Sequence, residues 1–369
     1  MIRYFLICFL PFTAFGIDSK AKQAFMIDLS TKTVLFDKNS AELMFPSSMT
    51  KMMTLYMIFE RLRSKSLKLE DTFKVSEKAW KVEGSKMFLQ VDSKVSLENL
   101  IRGIATVSAN DACITFMEIL FGSDEEGAKE MTKKAKELGM KNTTFQNSTG
   151  LPHPEHTTTA FDLALLGDRL INDFPEYQNY LAETEFEFNG IKQKNNNTLL
   201  KSDLGVDGIK TGHTKAAGYG ITLSAKQKNR RLILVVNGYK TKKERVQDSE
   251  QLLSWAFREF DVYKFFPQGT VINVADVWLG NYATVPLIAH EDVMLTLPRN
   301  VYSSVKMEIV YKGPIDPPIQ KDQYVGDLII TAPNFQPRVI PLYAAHDVGH
   351  APFFKRIPAA VHYLVWGKN

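Results

Sequence analysis

The sequence predicts an α+β domain followed by a smaller all-β domain, and three observations carry that reading. Short apolar stretches of strand character stand at both ends of the first 262 residues, at 25–28 and 34–37, then at 206–211, 218–225 and 231–236. Between them lie segments whose apolar residues recur at helical spacing. Beyond residue 262 the helical period disappears, and β-rich stretches alternate with Gly, Pro and Asn turns. Strands at both ends with helices between imply one antiparallel sheet with helices on its faces.

The elements follow in chain order. Residues 1–16 read as a secretory signal: Arg3 supplies the positive end, 4–15 the apolar stretch, and Ala14-Phe15-Gly16 a small-x-small cleavage site. An apolar run of about a dozen residues is too short to span a bilayer. From Ala24 a hairpin is expected, joined across Ser30-Thr31-Lys32. Met52, Met53, Leu55, Tyr56, Ile58 and Phe59 then run without a breaker to Arg63, which predicts a helix with Ser48 in its first turn. Residues 84–89 read as a loop or edge strand. Helices are expected near 97–107, 111–121 and 124–138, the last stopped by Gly139. Residues 147–154 form a long irregular loop, the kind that lines a site. Thr159 caps a helix reaching about Ile171, with Asp162 at the capping-box distance. The alternation in Glu185-Phe186-Glu187-Phe188 reads as a strand edge, and an amphipathic helix is expected from about Lys243 to Phe260.

Domain boundaries follow from this texture: an α+β domain over 17–262 and an all-β domain over 263–348, with segments at 271–274, 283–288, 293–297, 305–311 and 327–331. In the tail, 349–369, a helical period puts Phe353, Phe354, Ile357, Ala360, Val361, Leu364 and Val365 on one face. Lys355, Arg356, His362 and Tyr363 fall on the other. A basic amphipathic helix with aromatics is the pattern of an interfacial membrane anchor; a helix packed back on the β domain is the alternative.

Composition narrows the class. A chain of 369 residues with 44% apolar content can bury a large core. The net charge of +4 gives no reason to expect nucleic acid, and it suits a polyanionic wall or an acidic membrane surface. Of the two cysteines, Cys8 falls in the signal, leaving Cys113 and no internal disulfide. No His/Cys cluster has metal-ligand spacing and no Gly-rich phosphate loop occurs, so no cofactor is expected.

The chemistry centres on Phe45-Pro46-Ser47-Ser48-Met49-Thr50-Lys51-Met52. Ser48 and Lys51 stand three apart, so their side chains share one helix face. Free backbone N–H groups at a helix start favour a developing anion. A lysine one turn on can serve as base if its surroundings lower its pKa. Alone, this pair is equally an ordinary amphipathic helix. Ser108-Ala109-Asn110 lies between two helical stretches, and Lys210-Thr211-Gly212 closes an apolar segment. The three triplets occur in the order and spacing of serine β-lactamases and penicillin-binding proteins.

The chain resembles the low-molecular-mass penicillin-binding proteins that act as D-alanyl-D-alanine carboxypeptidases, over about residues 22–262. The resemblance implies a transpeptidase-like catalytic fold and a small β domain after it. It implies Ser48 as nucleophile, Lys51 as base, and Ser108 with Asn110 relaying protons and binding substrate backbone. Lys210 would be a second cation depressing the Lys51 pKa. The backbone N–H groups of Ser48 and His213 would form the oxyanion hole, while Thr211, Gly212, His213 and Arg245 bind substrate. The partners implied are a peptidoglycan stem peptide ending in D-Ala-D-Ala and β-lactams as covalent inhibitors. Several members carry a second arginine where this chain has Asn196. Cys113 is expected as a bystander within reach of thiol reagents.

Rival functions are a β-lactamase, a non-enzymatic wall-binding protein and a cross-link endopeptidase. Glu185 lies 75 residues after Asn110 and 25 before Lys210, the wrong proportions for the deacylating glutamate of a class A β-lactamase. A pure binder has no use for Ser48 with Lys51. An endopeptidase uses the same residues, and Arg245 favours the carboxypeptidase, because a guanidinium fork suits a free carboxylate.

Overall fold

A computed structural model describes residues 17–333 and 335–354. The expected signal segment and the tail beyond Phe354 lie outside the described residues. The chain divides into two compact units between Arg258 and Glu259.

The first unit is built on a five-stranded antiparallel sheet. Its hairpin is β1 (Gln23–Asp28) and β2 (Thr33–Lys38). The nucleophile segment follows as a 3₁₀ turn over Ser47–Thr50, continued by α1 (Lys51–Arg63). Ser48 therefore precedes the α-helix instead of lying in its first turn. The pairing with Lys51 is kept because side chains at i and i+3 eclipse in 3₁₀ geometry. Every residue from Lys51 to Phe59 is buried, as befits a helix apolar on all sides.

Helices α2 (Leu97–Thr106), α3 (Asn110–Phe121), α4 (Asp124–Glu137) and α5 (Ala160–Asp173) pack around α1 or on the sheet. Thr159 caps α5, its Oγ1 accepting the Asp162 N–H at 3.0 Å. The capping box is only half made, since the Asp162 carboxylate turns to the Asn142 N–H and the Thr143 hydroxyl. The stretch 82–90 is irregular, while Glu185–Phe188 pairs with Ile191–Lys194 across an Asn189-Gly190 turn with both residues at positive φ, the conformation that dipeptide adopts readily.

Strands β3 (Val206–Thr214), β4 (Gly218–Gln227) and β5 (Arg230–Tyr239) and the long helix α6 (Lys242–Glu259) complete the unit. The sheet order is β2-β1-β5-β4-β3, so β3 is an edge strand. Residues of opposite parity cover opposite faces. Phe25 and its partner Val235 enter the helical core, where Phe25 meets Phe161 of α5 edge-on at 5.4 Å. Phe36, opposite Met26, meets Trp255 of α6 at 6.4 Å on the other face.

The second unit starts with a strand that the sequence boundary at 262 cut in two. Strand β6 (Phe260–Phe266) pairs with β9 (Val293–Pro298). A five-stranded antiparallel sheet in the order β7-β8-β12-β11-β10 comprises β7 (Val271–Asp276), β8 (Thr284–Ile288), β10 (Lys306–Tyr311), β11 (Tyr324–Thr331) and β12 (Arg338–Ala344). Strands β6 and β12 escaped the sequence reading because β6 continues a helical segment without a breaker and β12 holds Pro341. Val285, Leu287, Leu295, Leu328, Ile330 and Leu342 fill the core of this unit.

Candidate active site

Three segments converge on the Lys51 amine. Its Nζ lies 3.1 Å from Ser48 Oγ, 2.8 Å from Asn110 Oδ1 and 2.5 Å from the Thr149 carbonyl oxygen. Asn110 Oδ1 and Thr149 O have no proton to give. A neutral amine carries two N–H bonds and one lone pair. With both hydrogens directed at these two acceptors, the lone pair is left facing the Ser48 hydroxyl.

Each acceptor is held from behind. Asn110, first residue of α3, donates its Nδ2 to the Glu83 carbonyl at 2.6 Å and its backbone N–H to the Ser85 carbonyl at 2.8 Å, which directs Oδ1 toward Lys51. The Asp111 carboxylate accepts the N–H groups of Met87 and Leu89 and fastens the same loop. Asn147 Oδ1 accepts the N–H groups of Thr149, Gly150 and Leu151 and curls the second loop. Asp124 takes the Ser148 N–H at 3.1 Å and also its hydroxyl. Gly150, at φ +81°, lies so close to the nucleophile turn that an added Cβ would sit 1.9 Å from the Ser47 carbonyl oxygen. Only glycine fits there.

Burial sets the lysine electrostatics. It pulls the Lys51 ammonium down to about 8 from the ordinary 10.5, against the upward pull of the Asp124 and Asp111 carboxylates. Lys210 is taken down to about 7, first by burial and then by the Lys51 charge. Of the two influences expected on Lys51, burial and a neighbouring cation, burial leads because Lys51 has no exposed surface at all. Lys210 donates to the Thr211 carbonyl at 3.3 Å. The two amines titrate as a coupled pair, each drawn well below the ordinary lysine range.

Ser108 stands at φ +64° with its side-chain oxygen buried and without a partner among the described residues. Such an atom is costly unless something in the site satisfies it. It lines a cavity of about 230 Å³ together with Ser48, Ser85, Asn196, Thr211, Gly212, His213, Tyr219, Lys242 and Arg245. His213 is exposed and stacks on Tyr219 with centroids 3.8 Å apart. Arg245 is only 2% exposed; its Nη2 donates to the Asn196 carbonyl at 3.2 Å, and among the described residues its Nε has no partner and no ion pair ties the guanidinium to a carboxylate. All nine residues singled out from the sequence thus lie in this cavity or directly behind it.

The structure adds Ser85, Tyr219, Lys242 and the Thr149 carbonyl. Lys242 and Arg245 stand three apart at a helix start, a legible spacing; the other three have no local signal. Cys113 departs from expectation. It is fully buried, and burial pushes its thiol up to about 12, so it is closed to thiol reagents in the folded protein.

The sequence profile of the D-alanyl-D-alanine carboxypeptidase peptidase family matches residues 12–241, and that of the penicillin-binding protein 5 C-terminal domain matches 260–350. The chain belongs to the D-alanyl-D-alanine carboxypeptidase family. It is 38% identical to the D-alanyl-D-alanine carboxypeptidase DacC of Escherichia coli, over 96% of this chain and 92% of that one. The structure is similar to penicillin-binding protein 5 of Haemophilus influenzae, with a TM-score of 0.83 at 34% identity, over 90% of this chain and 99% of that one. It also matches penicillin-binding protein D2 of Listeria monocytogenes in its ampicillin-bound form, with a TM-score of 0.60 at 29% identity, over 66% and 99%. For this carboxypeptidase the transpeptidase-like fold with a following β domain, and the serine hydrolase class, are therefore as the sequence resemblance implied.

Proposed function

We propose that this carboxypeptidase removes the terminal D-alanine from peptidoglycan stem peptides through an acyl-enzyme on Ser48. The carrying observation is the Lys51 amine, whose lone pair is left for Ser48 once Asn110 Oδ1 and Thr149 O take its two hydrogens. Ser48 Oγ attacks the carbonyl carbon of the penultimate D-alanine while its proton passes to Lys51 Nζ. The carbonyl oxygen gathers charge opposite the backbone N–H groups of Ser48 and His213; the edge position of β3 supports this, since alternate N–H groups of an edge strand lack a ladder partner. The C–N bond then breaks, and the departing amine takes the proton held on Lys51 Nζ, relayed through Ser108, which leaves Lys51 neutral again. Water, deprotonated by the same base, cleaves the ester and restores Ser48. Thr211 and Arg245 bind the terminal carboxylate, and a β-lactam acylates Ser48 by entering as that peptide end.

The partnerless Nε of Arg245 favours carboxypeptidase over endopeptidase action, because a free terminal carboxylate supplies the missing acceptor. Arg245→Ala is expected to lower kcat/KM about ten- to a hundredfold on a peptide ending in D-Ala-D-Ala, the loss of a charge-assisted bond. Peptides whose terminal carboxylate is amidated or extended should lose far less. Release of D-alanine, measured on all three substrates, checks this; equal losses would make Arg245 structural and favour the endopeptidase.

The site of action is the cell envelope, with the protein on the cytoplasmic membrane through its tail. The signal-like start and the basic amphipathic pattern of 353–366 support this. Among the described residues no helix is long and apolar enough to cross a membrane. Full-length mature protein is expected to float with anionic liposomes, and a truncation before Gly349 to stay at the bottom with unchanged activity on soluble peptide. If both stay at the bottom, the tail is no anchor.

A further inference from the structure

We propose that Lys242 is a second cation of the carboxylate subsite, one that ranks substrates by the charge at their C-terminal end. The inference rests on the carboxypeptidase reading above. Lys242 lines the cavity together with Arg245, and its Nζ lies 3.5 Å from Oδ1 of Asn196, another lining residue. The same Asn196 gives its backbone carbonyl to Arg245 at 3.2 Å, so one residue holds both cations at one end of the cavity. Among the described residues neither forms an ion pair with a carboxylate, and a 3.5 Å contact to a neutral amide is a weak restraint that an incoming anion displaces.

The position is also unfavourable for the helix. Lys242 opens α6, where the dipole disfavours a cation. Nor does the nearby acidic residue neutralise it: the Glu244 carboxylate accepts the N–H groups of Lys240 and Thr241, while Thr241 Oγ1 accepts the Glu244 N–H. That closed capping box stabilises the helix start without Lys242. A cation kept at a disfavoured position, facing a cavity with a buried guanidinium, is placed for an anion. Arg245 is buried, whereas Lys242 is exposed. It adds attraction without fixing geometry, and its effect is open to salt.

Lys242→Glu separates this from folding, because an acidic residue suits a helix start and the variant should unfold no earlier than the parent. Expected is a loss of kcat/KM of roughly tenfold on the free-acid D-Ala-D-Ala peptide, shrinking as salt rises, with little change on the carboxamide. Lys242→Gln should lose about two- to fivefold, and Lys242→Arg should restore most of it. Acylation by benzylpenicillin against its methyl ester reads the same contact without turnover. Equal losses on acid and amide, or no loss on either, would overturn the role of Lys242. A parent protein that acylates but releases no D-alanine would overturn the proposed activity and leave the Lys242 comparison standing on acylation alone.

Discussion

Ser48→Ala is expected to abolish both D-alanine release and covalent labelling by penicillin, a fall in kcat of at least about 10⁴-fold. Among the described residues Ser48 is the hydroxyl that meets the Lys51 amine, at 3.1 Å, while the neighbouring Ser47 gives its Oγ to Thr214 at 3.2 Å. In the parent protein, mass spectrometry of a digest should find the penicilloyl adduct on the peptide containing Ser48. An adduct elsewhere, or none, would remove the acyl-enzyme assignment. The variant should keep the thermal stability of the parent, because Ser48 is half-buried and, among the described residues, its hydroxyl hydrogen-bonds the Lys51 amine alone.

Lys51→Arg is expected to cost about 10²- to 10⁴-fold in acylation rate, the range of a lost general base. The change keeps a cation and removes the base, since a guanidinium stays protonated at every working pH. In the parent protein kcat/KM should rise with pH. The reactive form has Lys51 neutral, and burial has brought the pair Lys51 and Lys210 from 10.5 to about 8 and about 7. Below pH 7 both ammoniums are charged and the base is absent; between about 7 and 8 one proton leaves the pair, and the rate climbs. The limb belongs to the pair as a unit. Acylation rates across pH 6–9 for parent and variant check this. A variant that kept the parent rate would show that Lys51 is not the base, and Ser108 would take that role.

The elements legible in the sequence were those whose cause is local. The apolar run after Ser48 forms α1 because its own residues favour a helix buried on all sides. Thr159 caps α5 because a hydroxyl accepts the N–H three residues on. The three catalytic triplets were legible because each is a short run with a fixed internal spacing. Where two elements adjoin without a breaker, local information is ambiguous: β6 follows α6 directly, and the boundary moved from 262 to 258.

By itself the sequence determined the α+β and all-β character of the two units and singled out Ser48, Lys51 and the two further triplets, because these depend on side-chain type and near-neighbour spacing. Only the tertiary structure decided how those groups behave. Edge placement of β3 beside the nucleophile turn depends on a sheet order of β2-β1-β5-β4-β3, which joins residues some 200 positions apart in the chain. The lysine pKa values and the inertness of Cys113 depend on burial, a property of everything packed around them. The Thr149 carbonyl and the Lys242–Asn196 contact come from loops distant in sequence. Long-range packing converges these groups, and no local pattern encodes it.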